Sequence, residues 1–294
     1  MLGAVGTALF FALTPVFANR AAHLLGSLRA NLGRLAVAVL LLGVWAHACG
    51  AGMGGAAFGW FFLGGVVGFG VGGVAMFLSL PRLGATLSTL IVQCVSAFAA
   101  ALIEFAWIGT TLTPAQIFFG ALTLGGVVVG LLPRSLPRVS PRQFGAGVAW
   151  ALLSAVAQGG GAVLSRKAFA VVAAAHEKID PGSAAYQRAL GGLLVGAIVV
   201  ALFARRRAVR DHPGNGSVPW VVANALTGPV LGVTCYQWAL RTTPAGLVQP
   251  IVATAPLLTI PFAVWIESAA PPRTSYYLGA LLAIGGATGI VLAP

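Results

Sequence analysis

Gly120-Ala121-Leu122, followed by Gly125-Gly126 and Gly130, returns near the end of the chain as Gly279-Ala280-Leu281, followed by Gly285-Gly286 and Gly289. Upstream, Ala85-Thr86-Leu87 with Ile91-Val92 returns as Ala245-Gly246-Leu247 with Ile251-Val252. The copies lie about 160 residues apart, roughly half the chain, so one unit is present twice. Both copies are apolar. A duplicated unit made of membrane-spanning segments points to a carrier built from two repeats around a shared site.

The solvent of this chain follows from its charge. Only 7% of its 294 residues are charged, against about 25% in a soluble domain, so it cannot cover itself for water. Lipid is the solvent it needs. The 40 glycines fit helices that approach closely in a bilayer. A net charge of +12 raises the question of nucleic acid. The basic residues sit in short links between apolar runs, not along a helix face interleaved with aromatics, which excludes that partner. Cys49, Cys94 and Cys235 form no CxxC or Cys/His spacing, so no metal and no cofactor are expected. No basic residue precedes the first apolar run, which therefore reads as a retained helix and not a cleaved signal.

A bilayer core takes about 20 apolar residues per helix. Cutting the chain at charged or Pro/Gly-rich links gives runs near Leu2–Ala18, Ala30–Ala46, Ala56–Leu80, Ala85–Trp107, Pro114–Leu132, Gly145–Leu164, Ala184–Ala204, Trp220–Leu240, Gly246–Ile266 and Ser275–Leu292. The expected fold is all-α and integral to the membrane: ten transmembrane helices as two inverted five-helix repeats, residues 1–138 and 139–294. The inversion follows from parity. A unit with five crossings ends opposite to where it began, so its second copy enters upside down. Twelve Lys and Arg fall in odd-numbered links and five in even ones, which favours the odd links inside.

Small residues at four-residue spacing predict where helices touch. Gly64, Gly68 and Gly72 mark the third run, Gly126 and Gly130 the fifth, Gly192 and Gly196 the seventh, Gly285 and Gly289 the tenth. They serve static packing or a sliding surface. Pro229 interrupts the eighth run, and Pro250, Pro256 and Pro261 the ninth. Each removes a helical bond, giving either a kink or a discontinuous helix beside a wet cavity.

Ala245…Pro256…Glu267 with Gly279-Ala280-Leu281 and Gly285-Gly286, preceded by Tyr236-Gln237-Trp238-Ala239-Leu240, resembles the second half of an EamA-type drug/metabolite transporter. The small-residue pattern of the first half is similar to the same ten-span plan. Ser96 stands where the first repeat's matching proline would be, and Glu104 comes about a turn before the family's acidic residue. The resemblance implies a multi-pass carrier of the bacterial inner membrane. It would move a small metabolite, an amino acid or related compound, by export.

Polar side chains within spans are costly, which makes them site candidates. They are Thr14, Gln93, Ser96, Gln158, Thr227, Tyr236, Gln237 and Gln249. Glutamine both donates and accepts, so the four of them can read an amino group and a carboxylate, or simply bond helix to helix. Trp150 can stack on a flat or cationic solute, or fill space. Trp45, Trp60, Trp107, Trp220 and Trp265 read as interface anchors. Glu104 is the one carboxylate inside a span, a coupling group or the partner of a nearby arginine. Arg34 and Arg188 match between repeats and either snorkel to headgroups or face inward toward an anion.

These readings describe a secondary or facilitative carrier working by alternating access, a monomer whose partners are a small solute and the lipid bilayer. No phosphate-cradling loop is present. The alternative is an integral-membrane enzyme acting on lipid or lipid-linked substrate. Asp180 and Asp211 both lie in links and the four histidines are scattered, so no catalytic pairing is visible.

Overall fold

The structure, a computed structural model, describes residues 1–133, 137, 139–203, 216–267 and 272–293. Ala204, Arg134, Arg138, Arg205, Arg206, Arg207, Arg210 and Asp211 lie outside the described residues, as does the side chain of Glu267. The chain folds into α1 (Leu2–Leu25), α2 (Ser27–Cys49), α3 (Phe58–Gly65), α4 (Gly72–Ile108), α5 (Pro114–Leu131), α6 (Pro141–Ala174), α7 (Pro181–Phe203), α8 (Ser217–Ala225), α9 (Val233–Thr242), α10 (Ala245–Val252), α11 (Ala255–Glu267) and α12 (Thr274–Leu292). Wider π-helical turns, Val66–Val71 and Leu226–Gly232, join α3 to α4 and α8 to α9. No strand occurs among the described residues. In lipid a segment must satisfy its own backbone bonds, and a helix does so.

Among the described residues nine helical stretches are long and apolar enough to cross a membrane. One of them, Phe58–Ile108, has 51 residues. At about 1.5 Å per residue it is far longer than a hydrocarbon core of roughly 30 Å. It leaves helical geometry at Gly84 (φ 78°, ψ 164°), a left-handed φ that glycine alone adopts freely. Links elsewhere are closed by side chains. Thr113 and Gln116 form a reciprocal cap at the start of α5, and Ser140 caps α6 through the Gln143 amide. Before α7, the Asp180 carboxylate accepts from Ser183 N (3.0 Å), Ser183 Oγ (2.5 Å) and Trp45 Nε1 (2.9 Å). Burial pushes that carboxyl up, but these donors outweigh it and hold it below its ordinary range.

The sixth helix corrects the sequence reading. It does not stop at Leu164 but continues to Ala174, so Arg166 and Lys167 are helical and not part of a link. The two halves of the chain interleave: α4 runs along α6, α5 along α12, α2 and α3 against α7, and α1 against α8, α9 and α11. Glycines set these approaches. A Cβ on Gly126 would stand 2.4 Å from Ala283 N, and one on Gly279 would stand 2.3 Å from Gly130 N. The contact face of α12 is therefore Gly279, Ala283, Gly286 and Gly289. Gly285 faces open space, and Gly289 lies against the Phe119 ring of α5. In the third run Gly64, Gly68 and Gly72 all face α6, while Gly65 and Gly191 bring α3 against α7.

The ninth run is discontinuous. α10 ends at Val252 and α11 begins at Ala255, with Thr254 Oγ1 donating to Ile251 O (2.7 Å) across the break. Every residue of α10 is buried. The freed backbone groups therefore face protein, as lipid requires.

Candidate functional site

Ser165 is the hub of a buried polar cluster where α3, α6, α7 and α9 meet. Its hydroxyl accepts from Arg188 Nη1 (2.8 Å) and from Gln237 Nε2 (3.2 Å), and donates to Gly161 O (3.3 Å). Ser165 and Gln237 are 0% exposed and Arg188 only 3%. The Arg188 guanidinium lies over the rings of Phe69 (4.9 Å) and Tyr236 (5.6 Å). Its far end rests against Gly68, whose Cβ, were it present, would stand 2.8 Å from Nη2. A side chain at Gly68 would push the tip of the guanidinium aside. Arg188 thus does not snorkel; it points inward.

Two polar atoms of this cluster have no hydrogen-bond partner: Arg188 Nε and Gln237 Oε1. Leaving such groups unmet inside a protein costs about 1–3 kcal/mol each, more for a charged one. No Asp or Glu among the described residues forms an ion pair with Arg188. The nearby carboxylate, Glu104 (2% exposed), is held elsewhere. Its Oε1 takes Arg166 Nε (3.0 Å) and its Oε2 takes Gly246 N (3.2 Å). Arg166 Nη1 also donates to Leu240 O (2.9 Å). Glu104 and Arg166 together tie α4, α6, α9 and α10 into one joint.

A second arginine is placed alike. Arg34 on α2 donates to Asn31 Oδ1 (2.9 Å), and a Cβ on Gly228 would stand 3.4 Å from its Nη1. Gly228 belongs to the second π-turn, Leu226–Gly232, as Gly68 belongs to the first. Thr14 Oγ1 lies 3.4 Å from Thr227 Oγ1 in the same neighbourhood. Each arginine thus rests on a π-turn glycine of the other half of the chain.

The remaining candidates sit apart from Ser165. Gln158 donates to Ser154 Oγ (3.1 Å), which itself bonds Gly72 O (2.7 Å), so it braces α6 against α4. Gln93 is half-buried on α4, where its carbonyl accepts from Ser96 Oγ (3.0 Å). Gln249 is buried on α10. Trp150, half-buried, lies about 20 Å along α6 from Ser165. A concavity of about 560 Å³ opens between Asn19, Arg20, His23, Leu24, Gly216 and Trp220, at the end of α1 and the start of α8. None of the four glutamines lines it. Among the described residues no three His, Cys, Asp or Glu side chains gather as a metal site would.

Sequence reading named Arg188, Tyr236 and Gln237 but missed Ser165 and Phe69. Ser165 adjoins Arg166-Lys167, and that charged pair ended the sixth run at Leu164, just before Ser165 and well short of Ala174. The apolar stretch Ala168-Phe169-Ala170-Val171-Val172 just beyond was the signal that the helix continues.

A bundle of long apolar helices with a broken span and a buried polar centre is that of a multi-pass membrane protein. The profile of the EamA-like transporter family matches residues 145–292, and the chain belongs to that family, whose members move small solutes and are not enzymes. A solved crystal structure, described only as that of a protein, superposes with a TM-score of 0.77 over 99% of this chain and 96% of its own, at 19% identity. That likeness concerns the fold. No curated protein matches the chain.

Proposed function

We propose that the chain is a secondary carrier of the bacterial inner membrane that exports a small metabolite, an amino acid or related compound, by alternating access. Ten crossings in two inverted halves, 1–138 and 139–294, carry it, with the Phe58–Ile108 stretch crossing twice about Gly84. The π-turns at Val66–Val71 and Leu226–Gly232 support this division. They lie about 160 residues apart, the spacing of the sequence repeat, and each receives an arginine from the opposite half.

The observation that carries the reading is the sealed polar cluster at Ser165, Arg188 and Gln237. A static bundle gains nothing from an unpaired buried cation. A carrier gains a place where solute replaces water when the helices part. Gln237→Ala should lower counterflow of radiolabelled amino acids in proteoliposomes by about tenfold or more, as loss of a contact to a charged solute group does. Gln158→Ala and Gln93→Ala should lower it less, with all three proteins still extracted and monodisperse. Wild-type counterflow in all three variants would remove the proposed site. Chemical alteration of the labelled solute would make the protein an enzyme.

A further inference from the structure

We infer that Arg188, Ser165 and Gln237 form a binding site for a small carboxylate carrying a hydrogen-bond donor on its α-carbon, an α-amino or α-hydroxy acid. This deepens the carrier reading and rests on it. The argument starts from the two unmet atoms. Arg188 Nε is a buried donor on a fixed positive charge, and Gln237 Oε1 is a buried acceptor. Both side chains donate to one hydroxyl, Ser165 Oγ, from Arg188 Nη1 at 2.8 Å and from Gln237 Nε2 at 3.2 Å, so the two heads lie side by side on it with Nε and Oε1 left over. A ligand that satisfies both must present an anionic acceptor and a donor close together. A carboxylate meets the guanidinium fork with two parallel bonds, which a neutral acceptor cannot do. An amino or hydroxyl group one carbon away is the shortest donor that reaches the Gln237 carbonyl.

The surroundings agree. Among the described residues no Asp or Glu pairs with Arg188, and Glu104 is engaged on both oxygens by Arg166 and the Gly246 amide, so no described carboxylate is paired with the Arg188 charge. Gly68 keeps the guanidinium in place by leaving it room. With Ser165 and Gln237 0% exposed, the site is closed in this conformation, and ligand reaches it when the helices separate.

The test is thermal unfolding of the purified, detergent-solubilised protein with four probes: L-alanine, L-lactate, propionate and L-alaninamide. L-alanine or L-lactate should raise the midpoint. Propionate, lacking the donor, should need about tenfold more for the same shift. L-alaninamide, lacking the carboxylate, should give none. Alanine without lactate assigns an amino acid; lactate without alanine assigns a hydroxy acid. Arg188→Met should abolish the shift while leaving the ligand-free midpoint at or above wild type, because it removes an uncompensated buried charge. Should that variant not elute as a single species, Arg188→Lys decides. A dose dependence at least about fivefold weaker supports the site, since an ammonium lacks the fork. No shift from either acid, an equal shift from the amide, or an unchanged response in the arginine variants overturns the inference. Counterflow separates the two levels. Flux with an unaltered Arg188→Lys response leaves the carrier without this site. A carboxylate shift without flux leaves the site without the carrier.

Discussion

Glu104→Ala should be the most damaging single substitution at the polar centre, lowering stability by about 3–5 kcal/mol. The carboxylate is 2% exposed and bonded on both oxygens, to Arg166 Nε and to the Gly246 amide. Removing it strands a guanidinium whose side chain is only 20% exposed and an amide that α10 cannot satisfy itself. The penalty comes from the abandoned partners more than from any attraction lost. Thermal unfolding in detergent should therefore show Glu104→Ala far below wild type, and Glu104→Ala with Arg166→Leu partly restored. A Glu104→Gln protein of wild-type stability whose transport has lost its pH dependence would make Glu104 the coupling carboxylate instead.

Gly279→Ala should cost stability at the upper end of the 1–3 kcal/mol typical of overpacking. The new Cβ would stand 2.3 Å from Gly130 N and 2.5 Å from Gly126 O. Both are backbone atoms and cannot swing aside, so α5 and α12 must move apart along their shared face. In lipid that face is held by close packing, with no hydrophobic drive to compensate. Gly285→Ala, six residues on in the same helix, meets nothing within 4 Å and should be neutral. The same melting experiment reads both. Equal midpoints for the two variants would show that the glycine contact does not hold α5 to α12.

What the sequence revealed follows from what periodicity and hydropathy can encode. The apolar runs, their links and the repeat are local patterns, and α1, α2, α5, α7 and α12 appear close to where the runs place them. The break in the ninth run was signalled by Pro250 and Pro256, since proline cannot donate to the helix. Which glycine touches which helix was less legible. Spacing selected Gly285 and Gly289, whereas packing uses Gly279, Ala283, Gly286 and Gly289 and leaves Gly285 facing away, because the facing surface is fixed by how α5 crosses α12. The first π-turn left no local signature, while Pro229 marked the second; both lie in the third and eighth runs where the arginines land. The site was half visible. Gln237 and Tyr236 stood out as polar groups in apolar surroundings, but their partner Ser165 hid behind Arg166, which pairs with a residue 62 positions away. Long-range pairing of that kind makes a charge compatible with a span, and no window of sequence contains it.

The central claim is that the sealed cluster opens in turn to each face of the membrane. With Cys49, Cys94 and Cys235 replaced by alanine, Gln237→Cys places one thiol at a residue that is 0% exposed here. The account predicts that a membrane-impermeant maleimide labels it in both right-side-out and inverted vesicles, at rates that solute alters. Labelling from one face only, or from neither, would contradict it.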